Sequence, residues 1–197
     1  MATANSSAIE LPPIKIETVT FFLIGDSPLI VHAWSEKAKR QMLDKQMKKA
    51  TKAKEAKNPE ADYEACFYRT ATGAYGFPAI GVKSAMISAC RFADMKMTVA
   101  RGAFHIDAEM LEVIGNPRPR EDMVRIGLGT ADIRYRPEFV KWRVPVTIKF
   151  NASVISAEQI ANLLNTAGFG VGIGEWRPEK NGQYGRFHVA SSEEFAA

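Results

Sequence analysis

The residues best suited to chemistry in this sequence are those that could hold a polyanion. The densest set is Gly168-Phe169-Gly170-Val171-Gly172-Ile173-Gly174-Glu175-Trp176-Arg177, continued by Gly182-Gln183-Tyr184-Gly185-Arg186. Six glycines in eighteen residues permit positive φ and close backbone approach. Such a loop can present amide N–H groups to phosphates. Trp176 and Tyr184 add stacking faces, and Arg177 and Arg186 add guanidinium forks. No GK[ST] follows, so this is not a Walker loop. The glycines follow a helical pattern and precede a strand pattern, the reverse of a dinucleotide fingerprint. The plainer alternative is a loop that packs on a sheet, with Trp176 as its lid.

Two further basic groups accompany the loop. Nine basic residues stand against three acidic ones between Ser35 and Lys57. At 100° per residue Lys37, Arg40, Lys45, Lys48, Lys49 and Lys52 fall opposite Met42, Leu43, Met47, Ala50 and Ala53. A solvated helix face is the ordinary outcome of such a run. The second group is Arg118, Arg120, Arg125, Arg134 and Arg136, followed by Lys141 and Arg143. Glu121, Asp122, Asp132 and Glu138 lie among them, so surface ion pairing is the competing role.

Acid–base chemistry has thin material. His32, His105 and His188 are far apart, and Asp26 sits in a Gly-Asp-Ser-Pro turn. No nucleophile elbow, metalloprotease helix or two-metal carboxylate cluster is present. No catalytic residue is assigned. Cys66 and Cys90 are isolated thiols with no metal-ligand spacing, so neither metal nor cofactor is expected.

The elements that must position these groups follow from periodicity. A polar arm, 1–13, precedes a strand from Ile14 to Ile24, expected to be central because its later half is apolar on both faces. An inserted basic segment, 35–76, contains the helix from Glu36 to Lys57, ended by Asn58-Pro59, and a short strand from Phe67 to Thr72. A small-residue stripe (Val82, Ala85, Met86, Ala89, Cys90, Ala93) marks a helix from Ile80 to Met97. A strand is expected from Phe104 to Ile114, and residues 115–138 form a long loop or hairpin excursion. Phe139–Phe150 alternates as a strand, with Val140, Trp142 and Val144 on one face. Ser156 caps a helix over 157–167. The glycine-rich loop, 168–185, leads to a last strand from Tyr184 to Ala190 and a tail, 191–197.

Strand, helix, strand, strand, helix, strand is a split βαβ plan. The expected fold is therefore α+β: a ferredoxin-like (RRM-like) βαββαβ core with an antiparallel sheet and two helices on one face, spanning 14–190 as a single domain. Length and composition allow one sizeable core, with 46% hydrophobic residues, net charge +4 and pI near 9.1. The sequence MATANSSAIELPP lacks a secretory pattern and no apolar run is long enough for a bilayer, so a cytoplasmic protein with no membrane partner is expected.

With these elements in place, the sequence resembles the repeat-associated mysterious proteins of CRISPR systems, most of all their crRNA-coating backbone subunits. Phe77-Pro78-Ala79-Ile80-Gly81-Val82-Lys83-Ser84-Ala85 is similar to the family's I-P-A-S-S-L-K-G segment, with Pro78, Ala79 and Lys83 coinciding. Gly168 to Gly174 with Tyr184-Gly185-Arg186-Phe187 is similar to the family's glycine-rich loop and last strand. The resemblance implies RNA binding along the sheet and loop, a backbone contact from Lys83, and a thumb-like hairpin at 115–138 touching a neighbouring subunit. The family's basic residue four after the lysine is here Ile87, which leaves Arg91 as the next candidate. The chain is also short for a backbone subunit. A phage-borne relative that coats single strands is an alternative source.

The expected function is non-enzymatic binding of single-stranded nucleic acid, RNA ahead of DNA, with self-association into a filament or ring. One alternative is an interaction module or inhibitor acting on a CRISPR-type complex. Another is an endoribonuclease of the same superfamily using His32 or Asp26.

Overall fold

In the computed structural model, which describes residues 13–49, 56–126 and 129–196, the β-branched and aromatic run after Pro13 forms a ten-residue strand, β1 (Ile16–Gly25). The Asp26-Ser27-Pro28 bend leads to a short strand, β2 (Leu29–Ile30). Ser35 caps α1 (Glu36–Gln46) by accepting the amide of Ala38. This helix is shorter than its composition implied: it stops at Met47, and Lys48 turns left-handed with φ 53°. Ala50, Lys52 and Ala53 lie outside the described residues, as does most of the expected arm. Asn58 and Pro59 begin a helix rather than end one. In α2 (Pro59–Glu64) Asn58 accepts the amide of Ala61, and Pro59 fills the first position, where its missing N–H is no loss.

β3 (Tyr68–Arg69) and β4 (Tyr75–Pro78) form a hairpin across Gly73. α3 (Ala79–Ala89) buries Ala79, Val82, Ala85, Met86 and Ala89. It does not run to Met97. A 3-10 turn at Cys90–Phe92 follows, Ala93 is extended and exposed, and α4 (Met97–Ala103) starts afresh. Past Cys90 the stripe has no buried member, so packing no longer holds a helix there. The expected strand at 104–114 is two: β5 (Phe104–His105) and β6 (Met110–Glu112), which join different sheets.

Residues read as a loop or hairpin form a long hairpin, β7 (Pro117–Ile126) and β8 (Thr130–Phe139). Pro117 and Pro119 lie on β7, which pairs on one side only, so their missing N–H groups cost no ladder bond. β9 (Arg143–Asn151) starts later than its alternation suggested. Val140 sits 42% exposed in the preceding bend, while Trp142 is buried and donates Nε1–H to the Ser27 carbonyl at 2.8 Å. α5 (Ala157–Gly170) opens on the expected capping box of Ser156 and Gln159 and continues three residues beyond its expected end. Gly168 and Gly170 are thus helical. β10 (Phe187–Ala190) is shorter than expected, and the expected tail folds into α6 (Ser192–Ala196).

The fold is α+β with antiparallel sheets. The largest has the order β10-β1-β9-β5, with every neighbour antiparallel and β1 central. Phe21 and Leu23 of β1 and Val144, Val146, Ile148 and Phe150 of β9 share one core with α3 and α5. Two three-stranded sheets, β2-β8-β7 and β3-β4-β6, flank it. Among the described residues no helix is long and apolar enough to cross a membrane.

Candidate nucleic-acid interface

The glycine-rich loop leaves α5 as a chain bent back on itself. Gly172 and Gly174 have φ of +70° and +78°. A Cβ on Gly174 would lie 2.5 Å from the Ile30 carbonyl oxygen, and one on Gly172 would lie 2.7 Å from Pro178 Cδ. These glycines serve close approach to the protein's own chain. Gly170, helical, faces the Phe92 ring. Val171 and Ile173 are buried and anchor the loop, whereas Phe169 is exposed.

The loop's amides are largely spent internally. Gly172 donates to Ala167, Ile173 to Gly185, Glu175 to Ile30, Gly182 to Arg177, Tyr184 to Trp176 and Gly185 to Pro28, at 2.8–3.1 Å. A phosphate cradle built from those N–H groups is therefore closed, and anion binding falls to side chains.

Between this loop and α3 lies an open cleft of about 350 Å³. α3 contributes Ile80, Gly81, Ser84 and Ser88, the loop contributes Gly172 to Glu175 with Arg177 and Glu179, and His32 closes one side. Tyr68 Oη–H donates to the His32 carbonyl at 3.2 Å. Burial, then the Arg136 charge, lowers the His32 pKa against an opposing pull from Glu175, so its imidazole is neutral near pH 7.

At one rim Arg177 donates Nη1–H to the Gly174 carbonyl (3.2 Å) and pairs with Glu179, which also receives Arg91 at 2.9 Å. Trp176, next to Arg177, has φ 54° and is 42% exposed. Tyr184 is roofed by the Arg120 guanidinium at 4.8 Å, and Arg186 donates Nε–H to the Gln183 carbonyl.

Other sequence candidates lie elsewhere. Lys83 Nζ bonds to the Arg101 carbonyl (3.2 Å) and His105 Nδ1 (3.1 Å), and does not line the cleft. Lys37, Arg40, Lys45, Lys48 and Lys49 belong to α1 and its C-terminal turn. No residue of α1 is buried, and Lys49 pairs with Asp44.

On the hairpin the arginines are bound to its own acids. Arg118 and Arg120 both meet Glu138, Arg120 also meets Asp122, Arg134 meets Asp132, and Arg136 meets Asp122 at 3.4 Å. Arg136, Glu138 and Asp122 are buried, so Arg136 has no surface to offer a ligand. Arg125 is exposed, and among the described residues no ion pair holds it. Ser84, Ser88 and Glu179 escaped sequence reasoning, while His32 stood only as a candidate for the endoribonuclease alternative and Glu175 only as part of the glycine-rich stretch. Only the Pro178-Glu179 turn beside Arg177 carried a local sign. Asp26 is bonded to His188 rather than to His32.

No protein-family model matches the chain, and no curated relative matches it. The fold is similar to the crystal structure of Cmr6 from Pyrococcus furiosus, at 10% identity and a TM-score of 0.48, covering 90% of this chain and all of that one.

Proposed function

We propose that this protein binds single-stranded nucleic acid, RNA in preference to DNA, without cleaving it, and self-associates along the strand. The carrying observation is the cleft of about 350 Å³ between α3 and the glycine-rich loop, lined by Arg177 and by Glu179, which holds Arg91, with the half-exposed Trp176 next in sequence to Arg177. Guanidinium groups take phosphates bidentately, and an indole face stacks on any base. His32, Ser84, Ser88 and Glu175 offer polar partners for a 2′-hydroxyl, the group that separates RNA from DNA. The strand order β10-β1-β9-β5 supports a ferredoxin-like core of the kind implied by the segment Phe77–Ala85. That same resemblance motivates the self-association.

Titrating a labelled oligouridylate at several salt concentrations tests the reading. Log K should fall with log salt by about 0.7 per phosphate contact, and Arg177→Ala should lower that slope. The matching oligodeoxyuridylate should bind more weakly, and both oligomers should stay intact. A flat salt response sinks the proposal.

A second reading, docking on another protein, is favoured by α1. Trp34, Met42, Leu43 and Met47 are each more than half exposed on or beside a helix with no buried residue. Oligomer binding unchanged by Arg177→Ala would move the function there.

A further inference from the structure

Glu179, in the cleft lining, holds Arg177 of the same lining and the neighbouring Arg91 with one carboxylate. Oε2 accepts Arg177 Nε–H at 3.2 Å and Nη2–H at 3.0 Å, and Oε1 accepts Arg91 Nη2–H at 2.9 Å. The two arginines come from separate elements, Arg91 from the turn after α3 and Arg177 from the loop.

Neither arginine depends on Glu179 alone for its direction. Arg91 also donates Nε–H to the Ser88 carbonyl at 3.1 Å, and Arg177 donates Nη1–H to the Gly174 carbonyl at 3.2 Å. Two guanidinium groups are thus aimed at one point, and two oxygens of an anion occupy it.

The anion is set there by the chain. Pro178 opens the 3-10 turn, and the Glu179 amide donates to the Val171 carbonyl at 3.2 Å. Burial alone would raise the Glu179 pKa. Hydrogen bonds from Arg177 and Ser88 and the charges of Arg177 and Arg91 outweigh it and hold the carboxyl below its usual range.

A carboxylate bridging two guanidinium forks has the geometry of two non-bridging phosphate oxygens. We infer that Glu179 is an internal phosphate mimic: it occupies the phosphate subsite of the cleft, and a nucleic-acid phosphate binds Arg91 and Arg177 by displacing it. The inference rests on the nucleic-acid reading above and adds a restraint to it. With Glu179 in place the site carries one net positive charge, and with it displaced, two. Isolated small anions compete poorly, while a strand that also stacks and contacts the cleft elsewhere can open the pair.

The test uses a fluorescein-labelled oligouridylate on the full chain, comparing wild type, Glu179→Gln, Glu179→Gln/Arg91→Ala and, as a control for net charge, Glu158→Gln at the far end of α5. Glu179→Gln should bind roughly tenfold tighter, the double variant should lose that gain, and Glu158→Gln should change affinity by less than about twofold. Affinity of Glu179→Gln equal to or below that of Glu158→Gln, with wild type binding in an Arg177-dependent way, overturns the mimic and leaves the cleft reading standing. No binding by any variant overturns both.

Should Glu179→Gln melt before it can be titrated, the wild-type chain supplies the answer. The ¹⁵Nε–H resonance of Arg177 should shift on oligouridylate addition as its partner changes from carboxylate to phosphate. A resonance unmoved at saturation rules the displacement out.

Discussion

His188 Nδ1 lies 2.6 Å from Oδ1 of Asp26, and the same imidazole reaches Oε1 of Glu194 with Nε2 at 3.1 Å. Both ring nitrogens thus face carboxylates, an arrangement that suits the doubly protonated ring. The bridge ties the end of β1 to α6. Phe195 of that helix lies 4.7 Å from the Phe22 ring, with the Arg143 guanidinium over Phe195 and bonded to its carbonyl. The face of the sheet turned away from α3 and α5 is therefore partly covered.

Burial pulls the His188 pKa down, but hydrogen bonds and charge from Asp26 and Glu194 more than compensate and raise it above 6.5. A raised folded-state value means that the contribution to α6 docking is complete below the unfolded value. It is lost as pH climbs through the folded one. Amide exchange over 192–196, corrected for its intrinsic pH dependence, should show protection falling as the pH rises above about 6.5. His188→Gln should abolish that dependence. Protection that is flat with pH in the wild-type chain would remove the bridge as the cause.

Gly174→Ala and Gly73→Ala separate backbone strain from steric clash. Gly73 has φ +85° with open space around its added Cβ, so about 1 kcal/mol of left-handed strain is expected. Gly174 has φ +78° and would also press a Cβ 2.5 Å from the Ile30 carbonyl oxygen, where the loop is bonded to β2. Its replacement should cost clearly more, on the order of 2–3 kcal/mol. Urea denaturation of both variants reads the difference, and equal costs would show that the loop shifts freely.

The buried ions of the hairpin should respond asymmetrically. Removing Asp122 leaves Arg136 buried with Glu175 as its nearest acid at 3.9 Å and with Nε unpartnered, so Asp122→Ala should cost about 3–5 kcal/mol. Arg136→Met leaves Asp122 still paired with Arg120 at 2.8 Å and should cost roughly 1 kcal/mol. Chemical denaturation checks the order, and a more damaging Arg136→Met would reverse the assignment of which ion depends on the other.

Lys83→Ala should leave the affinity and salt slope for oligouridylate unchanged, because its ammonium is bonded to Arg101 and His105 outside the cleft. Arg177→Ala should lower both. A slope reduced by about 0.7 in Lys83→Ala would instead place a strand phosphate over the α3–α4 side.

Much of the framework was legible because it depends on local pattern. The alternation in β1 and β9, the Ser156–Gln159 capping box and the small stripe of α3 are each short-range consequences of side-chain size and branching. They were enough to order the strands and helices of the main sheet. Local pattern failed where a distant partner decided the outcome. The prolines and charges of β7 and β8 left a loop and a hairpin equally open, and the hairpin forms because each strand supplies the other's ladder, with Asp122, Arg136 and Glu138 buried. The segment after Phe104 divides because β9 claims one end and β4 the other.

The same division holds at the cleft. The glycines, Trp176 and Arg177 announced a special loop from sequence alone, and Gly172, Gly174 and Gly185 take the positive φ that glycine adopts without steric cost. What the glycines approach was decided by tertiary structure, and it is the protein's own Ile30 and Pro178. Arg91 and Glu179 stand 88 positions apart and meet only because the turn after α3 and the loop after α5 fold against each other. Charge counts along a sequence cannot register that meeting, since an ion pair depends on distance in space. A guanidinium that counts as free in composition can already hold its anion in the fold.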